Sequence, residues 1–174
     1  MTGLHDIPAD ARGLRHAFAH FPNGVVAVCA DIGGVPHGMA VSTFVPVSLD
    51  PPLVSFCVQN TSSTWPRLTG AGRLGISLLG AGQQQAAQTL GARDGDRFHG
   101  LELHHGHGEA VLIGGSSAWI EGDVYAEVPA GDHRVVLVRV QRLATSTEIE
   151  PLLFHRSRFR RLQNDETKAG SVAG

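Results

Sequence analysis

The chain has little charge, little cysteine and no long apolar run, and each shortage removes a class of function. Charged residues make up 17% of its 174 residues, net charge is −2, and apart from Arg156, Arg158, Arg160 and Arg161 the basic residues are scattered. A binder of nucleic acid or of an acidic membrane surface is excluded as a general reading. That short arginine run could meet a 2′-phosphate, but it reads first as a solvated basic face. Cysteine occurs only at positions 29 and 57, both inside apolar runs (VVAVCA and LVSFCV). There a thiol behaves as a small buried hydrophobe rather than as half of a disulfide or redox pair. No stretch has the length of a membrane span or the pattern of a signal peptide, so a cytoplasmic protein is expected. Lysine is almost missing, since Lys168 is the sole lysine among 14 basic side chains. Together with the alanine and glycine content, this points to GC-rich coding rather than to function.

Several motifs are missing as well. There is no G-x-S-x-G elbow, no P-loop, and no G-x-G-x-x-G opening a βαβ unit, which argues against a Rossmann-type dehydrogenase. The chain is also too short for separate cofactor and substrate domains. His104, His105 and His107 sit among glycines with no thiolate or carboxylate completing a familiar ligand set, so no metal is expected.

What is present changes period along the chain. DARGLRHAFAHF places Ala11, Leu14, Phe18 and Phe21 at helical spacing, with Asp10 as N-cap and Pro22-Asn23-Gly24 as the stop. Six stretches rich in β-branched residues follow: GVVAVCAD, PHGMAVSTF, LVSFCVQ, RLGISLL, SAWIEGDVYAEV and HRVVLVRVQRLAT. Turn chemistry separates them, for example at Asp31-Ile32-Gly33-Gly34 and Ala130-Gly131-Asp132. Two helical interruptions are expected, one starting at Thr64-Trp65-Pro66 and one over GQQQAAQTLG, ended by Gly91. Many strands with few helices read as a mainly β protein, an antiparallel barrel. One domain over 10–162 is expected, with a short N-terminal extension over 1–9 and a disordered tail over 163–174. Residues 92–116, with six glycines and four histidines, read as the longest irregular stretch.

Three segments could carry chemistry. Gln59-Asn60-Thr61-Ser62-Ser63-Thr64 runs from a strand into a helix start, where unpaired N–H groups and hydroxyls suit a phosphate; it equally suits a plain helix cap. Pro36 to Phe44, with Pro46 to Leu53, offers small and hydroxyl side chains against which a flat ring could lie, or simply a strand and turn. Gly131-Asp132-His133 opens the most apolar strand, where a lone histidine is usually exposed or capping.

Taken in order, FPNGVVAV, HGMAVSTFVPVSLDPPLVSFCV, NTSST, DGDRFHG, GDHRVVLVRV and PLLFHRSRF resemble the short-chain flavin reductase family, the reductase components of two-component flavin-dependent monooxygenases. The resemblance runs from about Leu14 to Leu162. It implies a split β-barrel of the FMN-binding type (an antiparallel Greek-key barrel), a homodimer, and hydride transfer from NADH or NADPH to FAD or FMN for a partner monooxygenase. It places the flavin ring along Ala40, Val41, Ser42 and Thr43 with Val47 and Ser48 close by. The phosphate end falls on Asn60, Ser62, Ser63 and Thr64, and nicotinamide-side roles fall on His133 and Phe159. No side-chain acid or base is implied, because the cofactor carries the hydride chemistry. Many relatives carry Asn-Ser where this chain has Ser42-Thr43, and a glycine where it has Ser157. FAD is preferred over FMN on the room that the 92–116 loop would leave beside the phosphate end. The alternatives are a barrel that retains its flavin as a prosthetic group, or a flavin- or haem-binding carrier without turnover.

Overall fold

The computed structural model describes residues 3–8 and 10–162, so the tail read as disordered lies outside the described residues. Helix α1 (Ala11–Phe18) starts where its cap predicts: Asp10 is extended and its carboxylate accepts from the Gly13 N–H at 2.6 Å. It ends at Ala19, ahead of Pro22, and none of its residues is buried. Phe18 and Phe21 stay 65% and 69% exposed, so the amphipathic face does not enter the core. Asn23 and Gly24 do not stop a helix but form a short strand, β1 (Asn23–Gly24), because β11, described below, pairs with them.

The chain continues through β2 (Val26–Ile32), β3 (Val35–Val41), β4 (Val45–Leu49), β5 (Pro52–Gln59), α2 (Trp65–Leu68), β6 (Leu74–Leu78) and α3 (Gln84–Leu90). It closes with β7 (Leu103–His105), β8 (Val111–Ile113), β9 (Ala118–Ala130), β10 (His133–Thr145), β11 (Leu153–His155) and β12 (Arg158–Arg160). Seven strands form one antiparallel sheet in the order β3-β2-β6-β9-β10-β5-β4. Strands β3 and β4 are consecutive in the chain yet occupy opposite edges, so the sheet must curl to let residues 42–44 join them. Thr43 spans the seam, its hydroxyl accepting from the Cys57 N–H at 2.8 Å. No ladder closes that seam among the described residues, which makes the barrel split.

Strand β2 explains why its sequence is an unbroken apolar run. Alternate side chains point to opposite faces, and both faces are covered. Val26, Val28 and Ala30 join Phe56, Ile76 and Val136 inside the barrel. Val25, Ala27 and Cys29 join Leu79, Leu90, Val111 and Ile113 in a second cluster outside it. Burying a valine contributes roughly 1.5–3 kcal/mol, so this strand anchors both layers. Gly75 allows the second layer to approach, since a Cβ there would run into the Val111 backbone.

Residues 92–116 are more ordered than their composition suggests, because β7 and β8 pair within them and bury Val111 and Ile113. Strands of three residues between glycines have no readable period. Helix α3 ends at Gly91 as expected, with Ala86, Ala87 and Leu90 buried. The β11–β12 hairpin turns through Arg156 and Ser157 at φ 50 and 58, both left-handed, as a two-residue type I′ turn requires.

Candidate functional site

An apolar cleft of about 130 Å³ runs beside the end of β3, lined by Val25, Ala40, Val41, Ser42, Ala87, Phe154 and Phe159. Three of the four residues expected against a flavin ring are therefore together. The fourth, Thr43, has committed its hydroxyl to the Cys57 main chain. Phe159 joins these residues rather than His133: it forms a wall of the cleft, edge-on to Phe154 with ring centroids 5.3 Å apart. Along β12 it alternates with exposed Arg158 and Arg160, so the arginine run is a solvated face with one inward aromatic. The turn that delivers it has Ser157 at a left-handed position.

A second cavity of about 420 Å³ adjoins the other part of β3 and is polar. Pro36, His37 and Gly38 form one side, Ser63, Thr64 and Arg67 another, and Arg93 to Phe98 the third. Arg97 reaches across it, donating from Nη1 to the Thr64 hydroxyl at 2.6 Å and to the Gly38 carbonyl at 3.1 Å. Both acceptors are uncharged. Asp94 and Asp96 line the same cavity, yet among the described residues none of Arg67, Arg93 and Arg97 enters an ion pair, so three guanidinium groups face two carboxylates across it. Gly38 and Val41 are three residues apart on β3, about 10 Å at the usual rise, and Ser42 follows directly after the strand end. The two cavities are thus consecutive stations along β3.

The anion argument from the helix start needs correction. Helix α2 has only four residues, and Thr64 is itself helical with no capping bond from its side chain. The cap is Ser62, whose Oγ accepts from the Trp65 N–H at 3.2 Å. Helix polarity from one turn is slight; the guanidinium groups are the stronger anion ligands. Arg97, Arg67 and Arg93 are the residues that reading the sequence missed. DGDRFHG was a visible motif, but an arginine between aspartates in a glycine-rich loop reads as solvated.

Asn60 and His133 lie apart from both cavities but next to each other in the fold. Asn60 donates from its backbone N–H to the Asp132 carbonyl at 3.0 Å and from its side-chain amide to the Gly131 carbonyl at 3.1 Å. The turn between β9 and β10 is thereby tied to the end of β5. His133 Nδ1 donates to the Asp132 carboxylate at 2.7 Å, leaving Nε2 as the free ring nitrogen. That hydrogen bond, with the charge of the imidazole behind it, holds the Asp132 carboxyl below the usual aspartate range. Val47 and Ser48 lie on edge strand β4, with Val47 52% exposed, and neither lines either of these two cavities.

Elsewhere, among the described residues no group of three or more His, Cys, Asp or Glu is placed to hold a metal ion. His107 instead meets the buried Glu121, Nδ1 to Oε2 at 3.2 Å, and Arg142 lies against its ring. Both cysteines are free, and burial pushes the Cys29 thiol up to about 12. Among the described residues no helix is long and apolar enough to cross a membrane.

The residues at hand fit a flavin nucleotide: an apolar, aromatic-walled slot for a ring system and, along the same strand, hydroxyls and guanidinium groups for phosphate. Comparison with known proteins points the same way. Residues 18–163 match the family model described as a flavin reductase like domain. The chain is 35% identical over 151 residues to a flavin reductase of Pseudomonas putida, covering 86% of this chain and 89% of that one. It is 33% identical over 158 residues to the reductase subunit of a flavin-dependent monooxygenase from Rhodococcus jostii, with coverage of 91% and 81%. Among solved structures, the NADH:FAD oxidoreductase of Streptomyces globisporus, in complex with NAD and FAD fragments, superposes with a TM-score of 0.87 at 35% identity, covering 95% of this chain and 99% of that chain. By fold, by the residues along β3 and by these similarities, the chain belongs to the flavin reductase family.

Proposed function

We propose that this protein is an NADH-dependent flavin reductase that delivers reduced FAD or FMN to a separate flavin-dependent monooxygenase. The observation that carries the reading is the pairing of the two cavities along β3. Ala40, Val41 and Ser42 face a slot walled by Phe159, and Thr64 and Arg97 face the polar cavity beside it. The chemistry itself, acceptance of a hydride from the reduced nicotinamide, belongs to the flavin when it is bound. The chain's part would be to hold the ring in the slot beside Phe159, to neutralise the phosphate with Arg67, Arg93 and Arg97, and to keep water from the slot. His133, with Nδ1 fixed by Asp132, would orient the nicotinamide through its free Nε2. The relatives support both the coenzyme and the partner, since their names describe NADH-linked flavin oxidoreductases and reductase components of monooxygenases.

The same reading includes a homodimer. Leu53, Cys57, Val135, Leu137 and Val128 occupy adjacent register positions on the outer face of β5, β10 and β9. Together with exposed Val45 and Val47 on β4, they make an apolar sheet surface suited to a second copy. A cytoplasmic setting, where nicotinamide is kept reduced, agrees with two unpaired cysteines.

An assay crossing NADH and NADPH with FAD, FMN and riboflavin, followed at the nicotinamide absorbance, tests the activity, and light scattering of the purified protein tests the dimer. Turnover that depends on added flavin is expected. Tightly retained flavin without such dependence would favour a prosthetic group, and no nicotinamide oxidation with any flavin would favour a carrier.

A further inference from the structure

Glu127, on β9, lines neither cavity, yet it collects three donors from two distant parts of the fold. Its Oε1 accepts from Trp65 Nε1 at 3.2 Å and from Thr69 Oγ1 at 2.8 Å. Its Oε2 accepts from Arg134 Nη1 at 2.9 Å. Trp65 is the first residue of α2 and Thr69 its C-cap, so one carboxylate holds both ends of the helix. A single turn cannot hold itself by its own hydrogen bonds. What fixes it is burial of Trp65 and Leu68 in the barrel end, Trp65 lying edge-on to Phe56 with centroids 5.6 Å apart, together with this carboxylate. Thr64 and Arg67, two walls of the polar cavity, ride on that helix.

We propose that Glu127 is a positioning residue that latches α2 onto the barrel end and thereby sets Thr64 and Arg67 for the flavin phosphate. This rests on the reading of the polar cavity as the phosphate site. A carboxylate suits the geometry, because three donors converge and two of them, the Trp65 indole N–H and the Arg134 guanidinium, can only donate. A glutamine would turn its own N–H₂ group toward either Arg134 or the helix. The bonds also outweigh the burial that opposes the charge: desolvation raises the Glu127 carboxyl, but the donors from Arg134, Thr69 and Trp65 bring it net below the usual glutamate range. Glu127 also engages Arg134, the neighbour of His133, so the latch joins the helix to the strand that carries the GDH turn.

The test is equilibrium binding without nicotinamide, read as quenching of flavin fluorescence, with FMN and riboflavin compared on wild type, Glu127→Gln and Trp65→Phe. Wild type should bind FMN more tightly than riboflavin, which has the ring but no phosphate. Loss of charge-assisted hydrogen bonds in Glu127→Gln should weaken FMN about tenfold, while riboflavin stays within about twofold. Trp65→Phe keeps an aromatic side chain against Phe56 but removes the indole donor and some buried volume, and should weaken FMN about threefold with riboflavin again unmoved. If Glu127→Gln does not fold, Trp65→Phe decides alone. A preserved FMN-to-riboflavin ratio in the variants, or equal weakening of both ligands, overturns the latch. A wild type that binds the two ligands equally overturns the phosphate site itself, and the latch with it.

Discussion

Arg97 Nη1 lies 2.6 Å from the hydroxyl oxygen of Thr64, a residue 33 positions earlier in the chain. The contact brings a cation to the mouth of a hydroxyl-lined cavity and spends none of its charge on a carboxylate. Replacing it with Arg97→Gln should raise the dissociation constant for FMN by about tenfold to a hundredfold, the usual worth of charged hydrogen bonds. Riboflavin binding should not change. The FMN affinity of the wild type should also fall with added salt, and that slope should flatten in the variant.

Ser157 sits at φ 58 in the turn that presents Phe159, a conformation that disfavours any side chain with a Cβ. Ser157→Gly should therefore stabilise the protein by about 1 kcal/mol, a rise of about 3 °C in melting temperature for a domain of this size. Thermal denaturation checks it, and an unchanged or lower Tm would show that the serine relieves the strain in some other way.

The parts of the fold that were readable from sequence are those where one physical cause dominates. Strand β2 shows as a continuous apolar run because both its faces are covered, and Asp10 caps α1 because its carboxylate reaches Gly13. Gly33-Gly34 turns where both residues must be left-handed. Edge strand β4 was hidden by Pro46 and by the Asp50-Pro51-Pro52 turn, since an edge tolerates proline where a central strand does not. The β11–β12 hairpin was hidden because its turn is Arg-Ser rather than a glycine pair. At the site, Ser63 and Thr64 were legible as hydroxyls beside a helix start. Arg97 and Glu127 were not, because each matters through partners more than thirty residues away.

Cys29 is buried between Ala27, Leu90 and Val111, and its thiol is pushed up to about 12. Burial keeps this thiol protonated and unreactive at pH 8, even before access is considered. In the native protein an alkylating reagent should leave Cys29 unmodified, and Cys29 should react after unfolding. Peptide mapping of the alkylated protein reads this directly, and rapid native labelling of Cys29 would show that the outer layer opens.

His133 has one ring nitrogen fixed by Asp132 and the other free. His133→Ala should raise the KM for NADH several-fold while flavin affinity moves by less than about twofold, the pattern of a group that binds one substrate. Lost flavin binding with an unchanged nicotinamide KM would reverse the assignment.

The central claim is that β3 carries a flavin ring at Ala40 to Ser42 and its phosphate at the cavity of Thr64 and Arg97. The most direct measurement is steady-state NADH oxidation by the purified protein as a function of added flavin, run with FMN and with riboflavin, on wild type and Arg97→Gln. The account predicts no turnover without added flavin, saturation at lower FMN than riboflavin in the wild type, and loss of that preference in the variant. NADH oxidation indifferent to added flavin, or a preference for FMN that survives Arg97→Gln intact, would contradict it.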